Sequence, residues 1–184
     1  MDPINQHQAA KNHHDLQAQD AIEKIRDIVK EAGTCFFCTS ASTADGGATR
    51  PMCVQQVDDV GNLWFLSADD SHKNLELATD PTVKLYFQGS PHSNFLQLDG
   101  RASVSRDKAK IKELWKPILK TWFADGEDDP RITVIKVAPM DGYYWDNKHG
   151  NAVAGVKMII GAALGKTLDD STEGRILPWP QSLN

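Results

Sequence analysis

Hydrophobic and polar positions divide this chain into stretches with different periods. Residues 1–19 are rich in Gln, His, Asn and Asp and contain no apolar run, so they read as a flexible leader in which His13 and His14 are solvated. Ile22, Ile25, Ile28 and Val29 then fall on one helical face. Asp20 can cap that helix, with Glu23 completing a capping-box pair, and Gly33 supplies the stop.

Beyond Gly33 the pattern becomes strand-like over residues 34–40, 48–57, 63–67, 82–88 and 94–105. Turn chemistry separates these runs at Asp45-Gly46-Gly47, at residues 58–62 and at Gly89-Ser90-Pro91. A short helix over 71–79 ends at Asp80-Pro81. A longer amphipathic helix follows, with Ile111, Leu114, Trp115, Ile118, Leu119 and Trp122 on one stripe and Pro117 kinking or splitting it. After an acidic turn at 125–130 come two more strands, 132–137 and 143–145. An apolar run at 153–164 reads as a terminal helix, and the residues from Asp169 onward as a loose tail.

Seven short strands with few helices predict a closed antiparallel barrel rather than a doubly wound sheet. Parallel strands need a crossover helix, and most gaps here are too short for one. The 184 residues suit one domain with peripheral additions: a leader over 1–19, a barrel over 20–149 and a C-terminal helix and tail over 150–184. With 40% hydrophobic and 24% charged residues the composition is ordinary for a globular protein, and nothing in it argues for global disorder. The net charge of −5 argues against nucleic acid or an anionic membrane as partner, and no apolar run is long enough to span a bilayer. Cys35, Cys38 and Cys53, without a secretion signal, point to reduced thiols and a cytoplasmic location.

Several motif-like patterns carry no chemistry. Cys35 and Cys38 are three apart in a strand, so their sulfurs diverge, and no second ligand pair completes a zinc site. The segment 161–167 resembles a phosphate loop but is one residue short and follows a helix. The dinucleotide fingerprint, the zinc-protease helix and the nucleophile elbow are all missing.

One constellation survives. Thr49-Arg50-Pro51-Met52 lies in a strand, and residues 63–67 lead through Ala68-Asp69-Asp70 into a helix opening at Ser71-His72-Lys73. A helix start favours an anion through its unpaired N–H groups and its dipole. Ser71 adds a hydroxyl donor, Lys73 a positive charge, and Arg50 from a neighbouring strand a second prong, so together they suit a phosphate monoester. Taken singly, Ser71 is an ordinary cap, Lys73 faces water and Arg50 pairs with a carboxylate.

With these residues in view, the chain resembles the pyridoxamine-phosphate-oxidase-like FMN-binding split barrels, most closely their general stress protein branch. The resemblance runs from about Asp20 to about Trp145. It is carried by Arg50-Pro51-Met52, by 63–67 with Ser71-His72-Lys73, by 80–87, by 98–102 and by Tyr143-Tyr144-Trp145-Asp146. It implies a six-stranded antiparallel Greek-key split barrel with peripheral helices, forming a homodimer with FMN at the subunit interface. Arg50 and Lys73 would then meet the FMN phosphate, helped by Ser71 and His72. Pro51 and Met52 would run beside the ring, with Leu66 and Ser67 on the opposite strand. Gln97 and Trp145 would serve the partner's site, or else simply pack.

The resemblance also has departures. His72 stands where the oxidases carry an arginine, which weakens the clamp or makes it pH-sensitive. Arg175-Ile176-Leu177-Pro178 mimics their C-terminal Arg-x-x-Pro only on paper, so vitamin B6 oxidation is not expected. The implied activity is that of an FMN-dependent or flavin-reductase-like oxidoreductase, with an unidentified small-molecule electron donor or acceptor and no nominated catalytic residue. A non-catalytic flavin-binding, storage or redox-sensing protein is the alternative, and FAD or a deazaflavin could replace FMN. A dimerisation scaffold without ligand is the third reading.

Overall fold

The computed structural model describes residues 12–41, 48–91, 94–147 and 171–179. Among these residues the fold is mainly β, one mixed sheet of nine strands in which most neighbours run antiparallel. Strand β1 (Leu16–Gln17) leads into α1 (Ala18–Ala32), and then follow β2 (Thr34–Thr39), β3 (Thr49–Cys53), β4 (Gln56–Val57) and β5 (Leu63–Ala68). Helix α2 (His72–Thr79) precedes β6 (Thr82–Gln88) and β7 (Phe95–Ser105). Helix α3 (Lys108–Leu114) precedes β8 (Ile132–Asn147) and β9 (Ser171–Leu177).

The spine is β8. One of its edges pairs with β7 along almost its whole length, while the other takes β5 along Ile132–Val137 and β9 along Gly142–Asn147. Beyond β7 the sheet continues through β6 and β2 to β3. Among the described residues no ladder joins β3 back to β5, so the expected closed barrel is an unclosed sheet. Nor is it purely antiparallel, because β1 pairs with β9 in parallel.

Strand β5 reads as a continuous apolar run because both its faces are covered. Leu63 and Phe65 join Phe37, Leu85, Leu98, Ile135 and the α1 residues Ile25, Ile28 and Val29 in the main core. Phe65 meets Phe37 edge to face, with centroids 5.4 Å apart. Leu66 points the other way, into a smaller cluster with Ile111, Leu114, Leu119, Ile132 and Val134.

Several boundaries differ from the sequence expectation. Helix α1 starts at Ala18 after Gln17, not at a capping Asp20, and Gln17 makes no side-chain cap bond. Its stop is as expected, Gly33 at φ 66°. The run 48–57 splits into β3 and β4, with Val54 and Gln55 making backbone bonds to Gly33 and Trp64. The second amphipathic helix breaks after α3. Lys116 precedes a proline and is extended, so Pro117–Thr121 begins afresh as a 3-10 turn. The helical stripe is thereby lost, and Ile118 and Trp122 face solvent.

The two expected strands at 132–137 and 143–145 fuse into β8 across a bulge, where Asp99 pairs with Asp141 and Gly100 with Pro139, leaving Met140 over. The expected loose tail contains β9. Part of the expected leader is also ordered: His14 N–H donates to Glu173 O, and Glu173 N–H to Asn12 O. The helix expected at 153–164 and the loop-like 161–167 lie outside the described residues. No helix among the described residues is long and apolar enough to cross a membrane.

Candidate functional site

The site builds up where β2, β3 and β5 meet the first turns of α2. Arg50 stands opposite Phe37 in the β2–β3 ladder, so its side chain leaves the core-facing side of the sheet. It reaches Glu76 on α2 in a two-pronged contact, Nη1 to Oε2 at 2.6 Å and Nη2 to Oε1 at 3.1 Å. Glu76 is 0% exposed, and Thr39 Oγ1 donates to its Oε2 at 2.6 Å. Arg50 therefore takes the carboxylate partner that its plain reading foresaw.

Lys73, one turn before Glu76, is half-buried. Burial lowers the pKa of its ammonium, and the Arg50 guanidinium lowers it further, only partly opposed by Asp70 and Glu76. Two cations thus share a partly desolvated corner in which Glu76 is already engaged by Arg50.

Ser71 occupies the N-cap of α2 but makes no side-chain cap bond. Its hydroxyl lies 3.0 Å from Ser67 Oγ, leaving the first N–H groups of the helix uncapped by it. Ser67 continues inward to Asn74 Oδ1 at 3.1 Å, and Asn74 Nδ2 donates to Thr133 Oγ1 at 2.9 Å. His72 is exposed.

The other expected residues sit elsewhere. Leu66 lies in the α3 cluster, and Met52 packs against the main core. Pro51 is on the opposite, outer face of the sheet. There Pro51, Phe36, Tyr86, Gln97, Tyr143 and Arg175 form one row across six strands. Phe36 is 59% exposed, Tyr86 42% and Trp145 41%. Trp145 leans on Tyr143 with centroids 4.7 Å apart. A groove of about 760 Å³ runs along this face between Phe36, Pro51, Tyr86, Phe95, Trp145 and Glu173. Gln97 Nε2 donates to Asp99 at 3.3 Å. Arg175, of the paper mimic of the oxidase tail, pairs with Asp141 at 2.8 Å.

The cysteines behave as their strand positions imply. Cys35 faces the core, where burial pushes its thiol up to about 12, while Cys38 is on the other side of β2 and accepts from Thr49 Oγ1. All three are free.

Sequence reasoning missed Glu76, Thr39, Asn74 and Thr133. Hydropathy works against them: on α2 the polar Asn74 and Glu76 are buried, while Leu75 is 54% exposed. That apparent inversion is the one signal they leave.

Residues 20–169 match the family model for proteins like pyridoxamine 5'-phosphate oxidase, and the chain belongs to that family. Its curated relatives include protein bli-3 of Neurospora crassa, 29% identical over 105 residues, covering 52% of this chain and 50% of that protein. The chain thus spans half the length of that relative. A crystal structure assigned as general stress protein 26 from Jannaschia superposes with a TM-score of 0.72 at 21% identity, covering 86% of this chain and 98% of the other. The general stress FMN/FAD binding protein of Xanthomonas citri superposes at 0.56 and 21% identity, over 65% and 82% of the two chains. At such identity the two structures share the fold.

Proposed function

We propose that this chain binds FMN as a homodimer and works as an FMN-dependent oxidoreductase of the general stress type. The observation that carries the reading is the Lys73–Arg50 pair: a half-buried ammonium held beside a guanidinium, at a helix start whose cap side chain is turned away. A phosphate there would relieve the repulsion and meet uncapped N–H groups. The fit is good for a phosphate monoester and asks nothing of an exposed His72. The finer fold reading is a six-stranded Greek-key split barrel made of β2, β3, β5, β6, β7 and β8.

When bound, the flavin supplies the redox chemistry, and the protein supplies binding, orientation and access. Lys73 holds the anion, and Arg50, braced by Glu76, sets the field around it. The outer row from Pro51 to Tyr143, with Trp145, is an apolar face of the kind that a second copy covers. A partner laid there would bring its own Gln97 and Trp145 toward the ring. The named FMN/FAD binding relative supports the cofactor. The free thiols Cys35, Cys38 and Cys53 support a cytoplasmic location.

The deciding experiment is the visible spectrum of the purified protein, followed by identification of whatever denaturation releases. A yellow protein that releases FMN supports the proposal, whereas release of FAD or a deazaflavin corrects the cofactor. A colourless protein that takes up none of the three refutes it. Steady-state turnover with NADH or NADPH then separates an oxidoreductase from a flavin store or sensor.

A further inference from the structure

Behind the start of α2, four side chains form a hydrogen-bonded chain that can run in only one direction. Thr133 stands opposite Ser67 in the β5–β8 ladder, and its hydroxyl donates to the Ser67 carbonyl oxygen at 2.9 Å. A carbonyl only accepts, so the single Thr133 hydrogen is committed there. Thr133 Oγ1 must then accept from Asn74 Nδ2, which orients the amide and aims Asn74 Oδ1 at Ser67 Oγ, 3.1 Å away. Asn74 is 9% exposed and Ser67 3%, so an unmet carbonyl oxygen there would be costly. The Ser67 hydrogen goes to Asn74 Oδ1 or, in a second geometry, to Ala68 O at 3.2 Å. Both are acceptors. In the Ser67–Ser71 contact at 3.0 Å, Ser71 is left as the donor.

We propose that Ser71 is an acceptor-only position toward any ligand: it takes a hydrogen bond from a ligand hydroxyl and gives none to the ligand's anion. The polarity belongs to the protein alone, while the identity of the ligand rests on the flavin reading above. Charge recognition then falls to Lys73 and Arg50. Ser71, beside them, reads a neutral donor, such as a hydroxyl of the sugar-alcohol chain that carries the phosphate. A fully ionised phosphate oxygen would meet only lone pairs at Ser71. This differs from the sequence expectation, in which the hydroxyl donates to the phosphate.

The test is calorimetric titration of wild-type and Ser71→Ala protein with FMN and with riboflavin, which lacks the phosphate. Because Ser71 makes no side-chain cap bond, the variant keeps α2, and circular dichroism checks that it does. The expected result is a loss of about three- to tenfold for both ligands, the size of one neutral hydrogen bond, with the FMN-to-riboflavin ratio unchanged. A loss confined to FMN, or no loss for either, overturns the proposal. If wild type binds neither flavin, the functional reading fails, and neutron diffraction of the ligand-free protein in heavy water decides the polarity. A Ser71 deuterium directed at Ser67 Oγ sustains it. A Ser67 deuterium directed at Ser71 Oγ overturns it.

Discussion

If Lys73 holds the flavin phosphate as proposed, binding and stability pull in opposite directions at this residue. Its folded-state pKa lies below 10.5, so in the window between the two values the unfolded chain holds more protons than the folded one. Stability of the ligand-free protein therefore rises with pH through that window, because deprotonation removes a charge the fold disfavours. Lys73→Met should raise the melting temperature at neutral pH by about 1–2 °C and flatten the alkaline rise, while the preference for FMN over riboflavin collapses. Thermal scans from neutral pH to 10.5, paired with titrations, check both halves. Glu76 behaves oppositely. It is wholly buried and satisfies Arg50 and Thr39. Glu76→Gln should cost about 2 kcal/mol or more, because it leaves a guanidinium with half of its contact, and urea unfolding would show a lower midpoint at unchanged slope. From sequence, Arg50, Ser71 and Lys73 could be picked out because basic and hydroxyl groups at a helix start have a known use. Glu76 could not, because a glutamate on a short helix normally faces water, and only the partner on β3 reveals that this one does not.

Elements were readable wherever one face alone meets the core. The isoleucines of α1 and the alternation in β6 set those elements to within a residue or two, since period and burial agree. Reading failed where elements interrupt one another. The bulge at Met140 hides inside β8 because Pro139 and Gly142 both mimic a turn, although each is a ladder residue. Gly142 is there for closeness, as a Cβ would stand 2.6 Å from Gln97 O and 2.7 Å from Leu98 Cδ2. Gly142→Ala should therefore destabilise by about 2–3 kcal/mol, whereas alanine at Gly33, which meets no neighbour but holds a positive φ, should cost about 1 kcal/mol. Denaturant midpoints of the two variants, measured side by side, would show the order. Strand β9 escaped notice because its partners lie far away in sequence, on β8 and in residues 12–17, and its own pattern is too mixed to announce burial.

For the whole molecule, the consequential surface is the outer face of the sheet. Phe36 is 59% exposed and belongs to no core, so replacing it should leave the monomer's fold intact. If that face is the dimer contact, Phe36→Asp should weaken association by about 2 kcal/mol or more, read as a shift to monomer in light scattering at unchanged circular dichroism. A dimer unaffected by the substitution would move the contact elsewhere. The arrangement around β8 has another implication, concerning time. Strand β5 must wait for β8 across α2, β6, β7 and α3, and β8 in turn leaves an edge open for β9. The sheet therefore cannot be completed in the order in which the chain is made, and Leu63 and Phe65 stay without their Ile135 and Val137 neighbours until late. Refolding from urea should be slow, on the order of seconds rather than milliseconds, and stopped-flow fluorescence of a variant that keeps Trp64, on β5, as its sole tryptophan would time the arrival of β8. The chain would then be most exposed to aggregation during its own synthesis, in the interval before β8 exists.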